Sequence, residues 1–315
     1  MGRRILAKVT PLKRYLAEEI ATDHVAGLLS RREAMRRLGL LGLGTAAAGA
    51  LIAACGDGGE TSQKRPDDEA GTAAAPTTEV SSPPPGMDHA VPTTPVSWAG
   101  PSGELQGAWA AAPAPRAGLL VIHENKGLND WVRSVASRFA GAGYSSLAID
   151  LLSEEGGTAR FSDPAQATAA LGAVPAERFV ADMKSGLAEV ARRVDGKKVA
   201  AVGFCFGGGM VWRLLGAGES QLAAAVPYYG PLPDKPDFAG ARAAVLGFYG
   251  ALDTRITSQK DAAQAALNGA GLVNELVVEP DADHAFFNDT GPRYRPAAAD
   301  DAWRRTLDWL GRYLG

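Results

Sequence analysis

The chain has 315 residues, 46% of them hydrophobic and 21% charged, enough apolar material for one large core. A formal net charge of -3 without a concentrated basic face excludes the usual nucleic-acid binder. Only two cysteines occur, Cys55 and Cys205, so a disulfide framework is excluded, and no Cys/His group has zinc-ligand spacing.

Residues 1–29 have no assigned role at this level. From Ser30 the sequence reads SRREAMRRLGLLGLGTAAAGALIAAC: the pair Arg31-Arg32 precedes a Gly- and Ala-rich apolar run from Leu38 to Ala54. This resembles a twin-arginine export signal, handled by a receptor that reads the arginine pair. A permanent membrane helix is the competing reading, but the run is short and weakly hydrophobic. Leu51-Ile52-Ala53-Ala54-Cys55 resembles a bacterial lipobox, which implies lipid on the Cys55 thiol and cleavage just before it. Residues 1–55 are thus expected to be an export signal. The mature protein is expected at the cell envelope, held to the membrane by acyl chains on Cys55. Residues 56–95 are rich in Pro, Gly, Ser and Thr, lack periodicity and read as a flexible tether.

Residues 96–315 alternate strands and helices. Segments around Val96–Trp98 and Glu104–Trp109 read as a hairpin, and Gly118–His123 as a buried strand. A helix over Trp131–Ala142, a strand over Ser145–Ile149 and a longer helix over Pro175–Val194 follow. Lys198–Phe204 is a strand leading into a helix over Cys205–Leu215. Strands at Leu222–Tyr228, Ala243–Tyr249 and Asn274–Val278 and helices at Gln259–Asn268 and Asp301–Tyr313 complete the pattern. Such alternation predicts an α/β fold with a mostly parallel central sheet covered by helices on both faces. Ligands in these folds bind beyond the carboxyl ends of the strands, so the residues just after each strand matter most.

Three of those positions form a set. Gly203-Phe204-Cys205-Phe206-Gly207 has the pattern of a nucleophile elbow with cysteine at its centre, at a helix N-terminus where the dipole favours thiolate. A buried structural cysteine beside a Gly-rich helix is the plainer reading of that segment alone. Asp253 follows the strand ending at Tyr249, and His284 follows the last strand. Asp253 read alone is a turn residue, and Asp281 is its weaker rival. Asp283 is badly placed to orient its own neighbour. The order nucleophile, acid, histidine is the one α/β-hydrolases require. Cys205 is expected to attack an acyl carbon, with His284 as base and Asp253 orienting the imidazole. The oxyanion donors are expected to be the N–H groups of Phe206 and Asn125.

Together, His123-Glu124-Asn125-Lys126-Gly127-Leu128-Asn129, Gly203-Phe204-Cys205-Phe206-Gly207-Gly208 and His284-Ala285-Phe286 resemble the dienelactone hydrolase family. The likeness runs from about residue 96 to the end and points to an exported YghX-like branch. It implies the α/β-hydrolase fold, no cofactor or metal, and a small ester or lactone substrate cleaved in the manner of a carboxymethylenebutenolidase. It implies Cys205, Asp253 and His284 as the triad, and Glu124 as a carboxylate that contacts the resting thiol. Family members carry an arginine shortly after the histidine to hold the substrate carboxylate, and here Phe287 and Asn288 occupy that stretch. Arg160, Arg255 and Arg293 are alternative anion partners, and Tyr228, Tyr229, Phe286 and Asn288 are candidate pocket residues. Two rivals remain: a general carboxylesterase acting on an envelope metabolite, and a lipid-anchored binding protein on a hydrolase scaffold.

Overall fold

The computed structural model describes residues 9–56 and 83–315. Eight strands form one sheet in the order β1-β2-β4-β3-β5-β6-β7-β8. β1 (Thr94–Ala99) and β2 (Glu104–Ala110) form the expected antiparallel hairpin at one edge, and β2 runs antiparallel to β4 (Tyr144–Asp150). β3 (Ala117–Ile122), β5 (Val199–Phe204), β6 (Leu222–Tyr228), β7 (Ala244–Gly250) and β8 (Asn274–Glu279) continue the sheet in parallel with β4. This is the mostly parallel sheet expected from the alternation, in the α/β-hydrolase fold that the resemblance implies.

Every residue of β3, β4, β5 and β7 is buried, as a sheet covered on both faces demands. Helices on both faces supply the cover. α4 (Asp130–Gly141) meets α10 (Pro296–Leu314) through Phe139 and Trp303, whose rings lie 4.5 Å apart. α6 (Ala176–Arg193) packs on α7 (Phe206–Gly216), and Gly186 of α6 lets Leu120 of β3 come close. The remaining helices of the domain are α5 (Pro164–Ala173), the short α8 (Thr254–Thr257) and α9 (Lys260–Gly269).

Several boundaries differ from expectation. α5 was not anticipated: it is Ala-rich and has almost no amphipathic contrast, so periodicity does not reveal it. α10 begins at Pro296, five residues before the expected Asp301, because proline fits the first helical turn. The expected tether also ends early. Met87–His89 form a turn of 3₁₀ helix, the Val91 N–H donates to Ser137 O of α4, and Gly86 lies against Trp303. Residues 57–82, most of the tether, lie outside the described residues.

The largest difference is at the N-terminus. Residues 11–56 form three helices that pack on the hydrolase unit: α1 (Pro11–Val25), α2 (Arg31–Leu40) and α3 (Thr45–Gly56). Thr10 caps α1 by accepting from the Lys13 N–H, with Pro11 at the first position. Ser30 caps α2 by accepting from the Glu33 N–H at 3.2 Å. The pair Arg31-Arg32 therefore occupies the exposed first turn of α2. The apolar run breaks at Leu41–Gly44, where Gly42 takes φ +78, and resumes as α3. Leu12, Tyr15, Leu16, Ile20, Leu38, Leu41 and Leu51 are all buried in this layer or against the domain. Among the described residues no helix is long and apolar enough to cross a membrane.

Candidate active site

The turn after β5 sets the geometry. Cys205 has φ +55, a left-handed conformation that a residue with a Cβ rarely adopts, and its N–H donates to Tyr228 O at 3.1 Å. The turn closes only because its flanks are glycine. A Cβ on Gly203 would lie 2.3 Å from Gly207 O, and one on Gly207 would lie 2.4 Å from Ile122 O. The strained backbone aims the Cys205 thiol beyond the carboxyl edge of the sheet, at the start of α7.

Asp253 and His284 reach the same place from the ends of β7 and β8. Asp253 caps the short α8 through the Ile256 N–H, and its other oxygen meets His284 Nδ1 at 2.6 Å. Asp281 and Asp283 do not fill that role: Asp283 accepts from the His284 N–H and pairs with Arg293. His284 Nε2 forms no hydrogen bond, and it lies within 4.8 Å of Cys205 Sγ and a Glu19 carboxylate oxygen. Burial opposes charge on Asp253, but the charge and hydrogen bond of His284 outweigh it and hold that carboxyl below its ordinary range. Burial likewise works to lower the His284 imidazole, yet Glu19 and Asp253 together hold it well above its usual value. The Cys205 thiol is pushed up, first by burial and then by Glu19.

Glu124 sits at the end of β3, buried. It accepts from Asn288 Nδ2 at 2.8 Å and from the Tyr229 hydroxyl at 3.4 Å. Burial raises its carboxyl above the usual range against the opposing Asn288 bond. The hydrogen bond at the thiol runs instead to Tyr15 of α1, at 3.1 Å. His123, the neighbour of Glu124, is buried and structural. Its Nε2 accepts from the Leu151 N–H, so Nδ1 carries the proton donated to Glu124 O.

The other expected residues divide. Phe206 opens α7, so its N–H has no carbonyl one turn earlier to bond. Asn125 lines the cavity beside Cys205, and its own carbonyl accepts from Thr168. Asn288 and Arg293 line the same cavity, of about 310 Å³. Tyr229 packs its ring 5.1 Å from the His284 ring. Arg255 is beside the site, paired with Glu19 and lying over the Tyr15 ring. Three residues are elsewhere. Arg160 bonds the Glu155 carbonyl at the surface, away from the cavity. Tyr228 points into the core, where its hydroxyl meets Thr306 Oγ1 at 2.6 Å. Phe286 is core packing against Tyr229. Alternation along a strand decides which of two adjacent tyrosines faces the site, and the irregular turn after β6 hides it from the sequence.

Residues 106–314 match the sequence pattern of the dienelactone hydrolase family. The chain belongs to that family. A protein of Escherichia coli O157:H7, provisionally named carboxymethylenebutenolidase, is 35% identical over 210 residues, covering 62% of this chain and 77% of its own. A similarly named protein of Methylorubrum extorquens is 31% identical over 223 residues, covering 65% of this chain and 76% of its own. Among solved structures, one from Klebsiella pneumoniae provisionally assigned as a dienelactone hydrolase superposes with a TM-score of 0.62 at 29% identity. It covers 70% of this chain and 100% of that one. A dienelactone hydrolase-like promiscuous phosphotriesterase from metagenomic libraries gives 0.63 at 24% identity, over 72% of this chain and 100% of that one, and shows the shared fold. The chain is a hydrolase acting on ester bonds.

Sequence reading missed three residues at this site: Tyr15, Glu19 and Asp23, all on α1. The signal was present. Leu12, Tyr15, Leu16 and Ile20 recur at helical spacing after a Thr10-Pro11 start. Nothing in that pattern says where the helix docks.

Proposed function

We propose that this protein cleaves a carboxylic ester or lactone through Cys205, His284 and Asp253, by way of a thioester acyl-enzyme. The observation that carries the reading is the convergence of a strained, glycine-flanked Cys205 with a hydrogen-bonded His284–Asp253 pair, each after its own strand. His284 takes the thiol proton as sulfur bonds the acyl carbon. The carbonyl electrons move onto oxygen, facing the N–H groups of Phe206 and Asn125. As the carbon–oxygen bond breaks, His284 returns its proton to the leaving oxygen. Water then gives a proton to His284 and attacks the thioester, releasing the acid and restoring the thiol. Glu124 lines the same cavity as Cys205, held by Asn288 and Tyr229, and its buried carboxyl is shifted upward. The names of the relatives suggest a lactone of the carboxymethylenebutenolide type as the first substrate to try. A panel of esters and lactones on the full-length protein tests the reading. Turnover that survives in Cys205→Ala would refute it.

Export with lipid attachment at Cys55 is part of the same proposal. The exposed Arg31-Arg32 pair and the small residues before Cys55 support it. Fatty-acid labelling in a bacterial host should mark the wild type and not Cys55→Ala.

A further inference from the structure

Helix α1 lies where a substrate has to go. The Tyr15 hydroxyl is 3.1 Å from Cys205 Sγ, and the cysteine is left 3% exposed. A Glu19 oxygen is 3.3 Å from His284 Nε2, while the carboxylate's other oxygen pairs with Arg255. One turn further on, Asp23 pairs with Arg293 at 2.8 Å.

These contacts hold back the chemistry proposed above. Asp253 already takes Nδ1 of His284, and Glu19 faces Nε2. An imidazole between two carboxylates favours the doubly protonated form, which has no lone pair to take a proton from sulfur. The thiol beside it is buried, which favours its neutral form, and it is hydrogen-bonded to Tyr15. A residue that merely lined the cavity would leave the path from Nε2 to sulfur open.

We propose that the mouth of the active site is a binding groove for the chain's own residues 11–25, and that the hydrolase is held to a low rate until this helix leaves. The proposal rests on the hydrolase reading and adds a partner to that site. The helix is attached in a way that permits release. It belongs to the layer of residues 11–56, which continues in sequence through the Pro-, Gly- and Ser-containing stretch 57–82. Outside the site, that layer meets the domain partly through exposed ion pairs, Arg14–Asp234 and Arg36–Asp163, which hold little in water. Cleavage before Cys55 would separate Tyr15, Glu19 and Asp23 from the domain together. The same cut that matures an exported chain would uncover its thiol.

The test uses the full-length chain with a specific protease site inserted within residues 57–82. Two quantities are followed: alkylation of Cys205 by iodoacetamide, mapped by peptide mass so that Cys55 is counted apart, and turnover of p-nitrophenyl acetate. Cutting the chain and removing the N-terminal fragment should raise both by about tenfold or more, as release of a mostly occupied groove requires. Glu19→Lys in the uncut chain should raise both in part, because it places a cation against Arg255. A synthetic peptide of residues 9–29, added back, should slow alkylation again, which an unfolded domain would not permit. Unchanged alkylation after removal of the fragment overturns the proposal. So does a fall in turnover on its removal, since α1 would then be a working part of the site. Alkylation that rises while no ester is cleaved in any form keeps the groove and refutes the hydrolase reading.

Discussion

The two ends of this chain meet at one thiol but are held by different forces. In the hydrolase unit, Cys205, Asp253 and His284 each follow a strand buried in a continuous parallel sheet, and the backbone around Cys205 is locked by glycine contacts. In the N-terminal layer, Tyr15 and Glu19 ride on a single short helix, seated by a modest apolar face and by ion pairs, some of them exposed. The comparison teaches that positioning and occupancy are separable. The sheet fixes Cys205, Asp253 and His284 whatever covers them, whereas the release proposed for α1 would leave them in place.

The sharpest way to break that comparison is at its fixed side. Cys205→Ala should lower ester turnover by about a thousandfold or more, because it removes the thiol that the turn after β5 presents to His284. Its thermal midpoint should stay near that of the wild type. Calorimetry beside a turnover assay would show whether the loss is chemical or structural. Asp253→Asn should reduce kcat by about a hundredfold or more, since it removes the partner that orients His284 Nδ1. A kcat within a factor of two of the wild type would show that another group holds the imidazole.

Backbone packing gives the next effect. Gly207→Val places side-chain carbon against Ile122 O, with the first atom 2.4 Å away, so it should destabilise the fold by about 3 kcal/mol or more in urea titrations. An unchanged midpoint would mean that the turn is not constrained as described.

At the sheet's far edge, burial and the nearby Asp301 push Glu279 from an ordinary 4.5 up to about 7. The folded state then binds this proton more tightly than the unfolded chain. Its contribution favours folding at low pH and is lost as pH rises from about 4.5 through about 7. Glu279→Gln should flatten the dependence of melting temperature on pH across that window. The same slope in mutant and wild type would assign the effect elsewhere.

The smallest expected effect lies in the displaceable layer. Arg36→Ala removes exposed pairs with Asp163 and Glu33, and the urea midpoint should stay within experimental scatter of the wild type. The substitution should leave the melting of the hydrolase unit unchanged.

These differences also explain what could be read from sequence. Strands such as Gly118–His123 and Lys198–Phe204 are short apolar runs bounded by turn residues, and a parallel sheet leaves them few alternatives. Cys205, Asp253 and His284 were legible because the fold confines ligand sites to the ends of such strands. Phe286 follows His284 closely and Tyr228 ends its own strand, yet both face the core, a matter of local twist that composition does not encode. Glu19 was illegible for a deeper reason. It is one of two adjacent glutamates in a charged helix, and only docking more than two hundred residues away in sequence gives it His284 and Arg255 as partners.

The central claim is that sulfur of Cys205 carries the acyl group. It is tested most directly by quenching the enzyme in acid during turnover of a p-nitrophenyl ester and mapping acylated peptides by mass. The account predicts an acyl adduct on the peptide containing Cys205, formed during turnover and lost when the ester is exhausted. An adduct confined to another residue, or steady turnover with Cys205 unmodified at every quench time, would contradict it.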